Sequence, residues 1–241
     1  MRSDVRTSVR GAAFPFVSRA SQLAQLRRLH AGQKHVLILG PAGVGKTALV
    51  WHVAAFLPLI VCPESMRLTE ICASLERQLG LDTEDQRLPQ RKRRVLRAMA
   101  ERSQAVVFDG VSRTTPRLSS FLEAASERVP VWLCARSDQR RDIGHVWPLL
   151  FRFERVGLHP FHLADTRALI DAAVGAGAVP VSFRAAAEQL HHISGGIPSA
   201  LCGLLRELAT GHYDPGRAFE LKLADLDRRI HAVSPAAAPP S

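Results

Sequence analysis

The sequence has no CxxC pair. Its four cysteines, Cys62, Cys72, Cys134 and Cys202, stand far apart, which gives neither a zinc site nor a disulfide framework and fits reduced core thiols in a cytoplasmic protein. A membrane span is also missing: the longest apolar stretch, Ala48 to Cys62, is broken by His52 and Pro58 and falls short of the roughly 18 residues a spanning helix needs. The N-terminus carries Arg2, Arg6 and Arg10 without the apolar core of a secretory signal. Asp4 and the short length argue against a transit peptide, so residues 1–14 read as a flexible basic arm. Acidic residues are scarce, 22 against 32 Lys plus Arg, giving the 241-residue chain a formal net charge of +10. That balance suits an anionic partner such as nucleic acid and by itself says nothing of chemistry. With 46% apolar and 22% charged residues, collagen-like and wholly disordered classes are excluded, and one large domain or two small ones are expected.

What is present is a regular alternation. His35 to Leu39 reads as a buried strand ending in a glycine-rich loop, and Ala48 to Phe56 then carries apolar residues at helical spacing. Further strands are expected at Leu59–Cys62, Ala105–Phe108, Val131–Cys134 and, more weakly, Phe153–Leu158. Helical patterns lie between them. Strands alternating with helices predict a parallel sheet with both faces covered. After His159-Pro160 only helical segments follow, at Asp165–Ala173 with Asp165 as cap, Phe183–Ile193, Ser199–Thr210 and Ala218–Ile230. The expected organisation is therefore an α/β domain over 15–159, a small all-helical domain over 160–232 and a Pro/Ala-rich disordered tail over 233–241.

Gly40-Pro41-Ala42-Gly43-Val44-Gly45-Lys46-Thr47 fits G-x-x-x-x-G-K-[ST] between a predicted strand and a predicted helix that Ala48 continues. Glycines let backbone N–H groups curl around a phosphate, and the helix N-terminus adds its positive dipole end. Lys46 then supplies a point charge, and the Thr47 hydroxyl can ligate Mg²⁺. Gly43 to Ala48 also fits the dinucleotide pattern G-x-G-x-x-A, with Glu64 about 20 residues on; that pattern does not call for Lys-Thr or Gly40. A P-loop also needs an acid at the end of another buried strand to hold the magnesium. Asp109, after Ala105-Val106-Val107-Phe108, fits, although Asp109-Gly110 is equally an ordinary strand-end turn.

These residues resemble the AAA+ P-loop ATPases, in the branch shared by STAND signalling ATPases and the origin-recognition and transposition-helper ATPases. Phe16-Val17-Ser18-Arg19 with Leu23 and Leu26 resembles the F-V-G-R-E-x-x-L element beside the adenine, and Gly196-Ile197-Pro198 resembles the G-x-P turn of the helical lid. The resemblance implies a five-stranded parallel sheet plus a C-terminal lid, with ATP or ADP and Mg²⁺ as cofactors. It also implies a γ-phosphate sensor at Arg136-Ser137 and, in Leu149-Leu150-Phe151-Arg152-Phe153, an arginine finger at Arg152 that reaches a neighbouring subunit. Arg136 as a strand-end cap and Arg152 on a solvated face are the plainer alternatives. Two positions depart from the family pattern. Gly110 stands where hydrolysing members carry a water-activating Glu, and Ser199 where many carry a sensor arginine. Slow or partner-dependent hydrolysis follows as an expectation, with Glu64 as a candidate surrogate base.

Arg87, Arg91, Lys92, Arg93, Arg94, Arg97 and Arg102 crowd the helix before the Asp109 strand. Without interleaved aromatic residues, contact with duplex DNA through Arg91, Lys92 and Arg94 is expected to be of the backbone type; a solvated helix face is the alternative. Two functions of different class result: an ATP-dependent ring or filament assembling on DNA, and a STAND-like switch acting on a protein partner.

Overall fold

In the computed structural model, residues 14–63, 67–82, 86–214 and 216–233 are described. Residues 1–13 of the expected basic arm, Glu64 and residues 234–241 of the expected tail lie outside them. The chain divides into two compact units, one over Arg19–His159 and one formed by 14–18 with 160–233.

The first unit is built on the apolar runs identified above. They form β1 (Val36–Leu39), β2 (Leu59–Cys62), β3 (Ala105–Phe108), β4 (Val131–Ala135) and β5 (Glu154–Gly157). All five pair in parallel, in the order β2-β3-β4-β1-β5. Side chains alternate across a strand, so each run serves two faces. Leu37, Ile60, Cys62, Val106, Phe108, Val131 and Leu133 share a core with α3 (Leu68–Leu79), α4 (Leu88–Arg102) and α5 (Pro116–Ser126). The alternate set, including Ile38, Val61, Val107 and Trp132, is buried too. On Trp132's face lies α1 (Ala20–Ala31), whose His30 ring meets the indole edge-on at 6.2 Å. The glycine loop leads into α2 (Lys46–Ala54), which starts two residues before the sequence pattern. A four-residue helix, α6 (Arg140–Ile143), and a 3₁₀ helix at Trp147–Arg152 precede β5.

The second unit holds α7 (Leu163–Gly175), a 3₁₀ helix at Val181–Arg184, α8 (Ala187–Ser194), α9 (Pro198–Ala209) and α10 (Ala218–Val233). Its core gathers Leu169, Ile170, Phe183, Leu190, Leu201, Leu204, Leu205 and Leu208, with Phe14 and Val17 packed against it. Residues 15–18, expected in the α/β domain, and Phe14, expected in the basic arm, cluster here instead: Phe14 and Val17 pack on this core, and the Phe14 ring lies 5.1 Å from the Arg206 guanidinium. The helix expected over Phe183–Ile193 is split in two. Asp165 caps α7 from its third position rather than as the cap itself, accepting from the His162 N–H at 3.0 Å. Among the described residues no helix is long and apolar enough to cross a membrane, and the four cysteines are free thiols.

Candidate functional site

The parallel sheet sends β1, β3 and β4 out at one edge, where side chains at the strand ends converge in open α/β folds. There lies a cavity of about 580 Å³, lined by Ala42, Gly43, Lys46 and Thr47 after β1, by Asp109 to Arg113 after β3, by Cys134, Ala135 and Arg136 at the end of β4, and by Asp142. Its size is in the range of about 300–1,000 Å³ that holds small ligands.

The loop at the end of β1 is fixed by close backbone approach. A Cβ on Gly40 would fall 2.5 Å from the Leu158 carbonyl oxygen and 2.9 Å from Val44 Cγ1. Gly45, at φ +99°, makes the left-handed turn into α2. By helix geometry the first-turn N–H groups of α2 have no carbonyl partner within the helix and stand with the positive end of its dipole at the cavity. The crown of the loop is held from outside, since Arg19 Nη2 donates to the Val44 carbonyl at 3.2 Å and to the His159 carbonyl at 2.8 Å.

Lys46 Nζ donates to the Gly40 and Pro41 carbonyls at 2.7 and 3.0 Å, so the ammonium is folded onto the loop. The Thr47 hydroxyl donates to Asp109 Oδ2 at 2.6 Å, and Asp109 Oδ1 accepts from the Gly110 N–H at 2.9 Å. Asp109 is only 8% exposed. Beside it, complete burial raises the Cys134 thiol well above its ordinary pKa, and the Asp109 carboxylate adds to the shift by its charge and by accepting the S–H. Cys134 therefore stays protonated and helps orient the carboxylate. Gly110 has φ +68°, a backbone that L side chains rarely adopt.

The far wall is the loop after β3. Thr114, 2% exposed, donates its hydroxyl to the Ile143 carbonyl at 2.6 Å and accepts from the Val146 N–H at 2.9 Å. A Cβ on Gly144 would lie 2.5 Å from the Thr114 nitrogen, so only glycine allows this approach.

Of the residues expected from sequence, Ala42, Gly43, Lys46, Thr47, Asp109 and Arg136 meet in this cavity. Phe16, Val17 and Pro198 belong to the other unit. Pro198 opens α9 after a turn in which Gly196, at φ +68°, is pressed against the Phe161 carbonyl and accepts from the Phe161 N–H at 2.7 Å. Arg152 closes the 3₁₀ helix that precedes β5. It therefore sits at the opposite edge of the sheet from the cavity, with its guanidinium 5.3 Å from the exposed Phe151 ring. Arg113, Cys134 and Asp142 were missed because no local motif marks them.

The expected DNA-contact set needs a correction. Arg91 is not free for a phosphate: its Nε and Nη2 grip the buried Glu76 carboxylate at 2.8 and 2.5 Å, because α4 packs against α3. Arg94 donates to the Asp82 carbonyl at 2.8 Å and Arg102 to that of Leu79 at 3.0 Å. Lys92 is half-buried, and what α4 presents outward is a groove of about 450 Å³ lined by Gln86, Gln90, Arg93, Arg94 and Arg97.

The family model for the AAA ATPase domain matches residues 15–135, half of the chain. Among solved structures, Cdc6p from Pyrobaculum aerophilum superimposes with a TM-score of 0.69 at 14% identity, covering 95% of this chain and 73% of that one. The Orc1 protein of Aeropyrum pernix, solved in complex with DNA, gives 0.65 at 14% identity and covers 89% and 66%. A STAND protein with a tetratricopeptide-repeat sensor from Pyrococcus horikoshii gives 0.52 at 16% identity over 82% of this chain, which spans 30% of that protein. No curated protein sequence matches. With the family match running from the segment before α1 through the glycine loop and Asp109 to the last residue of β4, the chain belongs to the AAA ATPases.

Proposed function

We propose that the chain binds ATP with Mg²⁺ in this cavity and works as a slow or partner-stimulated ATPase whose ATP form assembles on duplex DNA. The observation that carries the nucleotide assignment is the Thr47–Asp109 contact at 2.6 Å in the same cavity as Lys46. Proteins of this family generally use nucleotide and Mg²⁺. A hydroxyl touching a buried carboxylate offers only oxygen donors, the chemistry a hydrated Mg²⁺ accepts, so the residues fit the ion. Bound there, Mg²⁺ neutralises charge on the phosphate oxygens. Lys46 exchanges its loop carbonyls for phosphate oxygens, the α2 amides receive a phosphate at the helix N-terminus, and Arg136 approaches from the end of β4. Slow turnover follows from Gly110, because the position after Asp109 carries no carboxylate to activate water.

For assembly, the position of Arg152 argues for a ring or filament. At the sheet edge away from its own cavity, it serves another subunit's nucleotide. Lys92 and the Arg93–Arg94–Arg97 groove are the surface offered to DNA backbone phosphates.

Calorimetry and sedimentation test the reading together. Wild-type protein is expected to bind ATP with Mg²⁺ and to sediment as a larger species with ATP and duplex DNA, whereas Lys46→Ala loses the ATP heat. Unchanged ATP affinity in Lys46→Ala overturns the site, and no ATP-dependent shift with DNA overturns the assembly.

A second reading, a nucleotide-gated switch facing a protein partner, is favoured by one observation: Arg91 and Arg102 are engaged inside the unit, which thins the basic face. An ATP-dependent change in the second unit's protease sensitivity without DNA affinity is its signature.

A further inference from the structure

Among the described residues five charged side chains border the cavity: Lys46, Arg113 and Arg136 against Asp109 and Asp142. Arg113 is the cation that neither the sequence motifs nor the proposed function uses. It sits four residues beyond Asp109, and its backbone is in the left-handed region at φ +40°, where a residue with a Cβ is strained. The conformation is over-determined by its surroundings. The Arg113 N–H donates to the Asp142 carbonyl at 2.8 Å and the Thr114 N–H to that of Ile143 at 3.0 Å, while Gly144 presses on Thr114. The guanidinium, by contrast, is exposed and makes no hydrogen bond or ion pair among the described residues. A structural arginine in this molecule looks different: Arg91 is gripped at both nitrogens by Glu76. Strain held in place by the fold, around a side chain with no structural partner, is the pattern of a ligand-binding position.

We propose that Arg113 binds the terminal phosphate of the subunit's own ATP and sets its preference for ATP over ADP. The inference rests on the nucleotide reading above. The glycine loop rises from β1 and Arg113 from beyond β3, with β4 between them. Two strand spacings are roughly 10 Å, so the two walls together span a polyphosphate chain rather than one phosphate. The loop takes the near phosphates and the Arg113 fork meets the far end, where a guanidinium binds phosphate oxygens in pairs.

Titrations with Mg-ATP and Mg-ADP on wild type, Arg113→Gln, Arg113→Lys and Arg113→Gly test this. Arg113→Gln is expected to lose about tenfold in ATP affinity, the scale of one charge-assisted hydrogen bond, with ADP affinity unchanged and Arg113→Lys recovering part. Arg113→Gly suits the local φ and is expected to melt at or above the wild-type temperature while losing the same discrimination, which separates ligand binding from folding. An unaltered ATP-to-ADP ratio in Arg113→Gln, or an equal loss for both nucleotides, overturns the role of Arg113 and leaves the nucleotide reading standing. Wild-type protein binding neither nucleotide overturns both.

Discussion

Thr47 and Asp109 stand 62 positions apart in the chain and meet at 2.6 Å, hydroxyl to carboxylate. The strand order makes the meeting, because β4 alone separates β1 from β3 and all three strands run the same way.

The first expectation follows from that contact. Asp109→Asn removes the charge a divalent cation needs but keeps an oxygen able to accept from the Gly110 N–H, so the fold should persist. Mg²⁺-dependent ATP affinity is expected to fall at least about tenfold, the scale of one charged contact, with the melting temperature nearly unchanged. Calorimetry with and without Mg²⁺ checks it, and unaltered metal dependence would assign the ion to another acid.

Turnover by the isolated chain is expected on the order of 10⁻³ s⁻¹ or below, the intrinsic range of P-loop enzymes that await a partner group. Gly110→Glu is expected not to restore it, because φ +68° at that position strains any L side chain. A steady-state phosphate-release assay showing about ten turnovers per second would sink this expectation. Asp142, the second carboxylate on the wall, would then be the first residue to neutralise.

Arg91→Ala is expected to cost about 3 kcal/mol in urea unfolding, since it leaves the Glu76 carboxylate, 5% exposed, without its partner. Arg93→Ala, on the open groove, should stay within about 0.5 kcal/mol. Neutralising Lys92, Arg93 and Arg97 together should instead reduce the salt slope of DNA binding by roughly one unit per lost phosphate contact. A triple variant that binds DNA as wild type makes the groove a solvated face.

His35 gives a pH dependence. Its Nδ1 accepts from the Val131 N–H at 3.1 Å, which requires the neutral ring, and burial followed by the Arg152 charge lowers its pKa below 6.5. Below 6.5 the unfolded chain takes up a proton that the folded chain refuses. Stability is therefore full above 6.5 and declines as the pH falls through that value towards the lowered folded pKa. Melting curves between about pH 5 and 8 should show the decline, His35→Asn should flatten it, and Arg152→Gln should weaken it. An acid limb identical in His35→Asn would point to another group.

Local chemistry explains what could be read from the sequence. The five strands are short apolar runs bounded by breakers, and the glycine loop and Asp109 each announce themselves at a strand end. Arg113, Cys134 and Asp142 carry no such mark, because their place depends on which strands become neighbours. Arg91 looked like any other arginine of α4 until α3 packed beside it. The split near Ala185 in the second unit escaped notice because the apolar spacing from Phe183 to Ile193 suits one helix, while a 3₁₀ turn at Val181–Arg184 shifts the phase between Phe183 and Leu190.

Thr114 has a mechanical consequence. Its hydroxyl is bonded on both sides, to Ile143 and to Val146, and the 3₁₀ helix ending in Arg152 begins one residue later, at Trp147. The segment that positions Arg113 and the segment that leads to Arg152 are thus joined through one buried hydroxyl, beside the backbone bond from Arg113 to Asp142. Losing that one hydroxyl would therefore loosen both segments together.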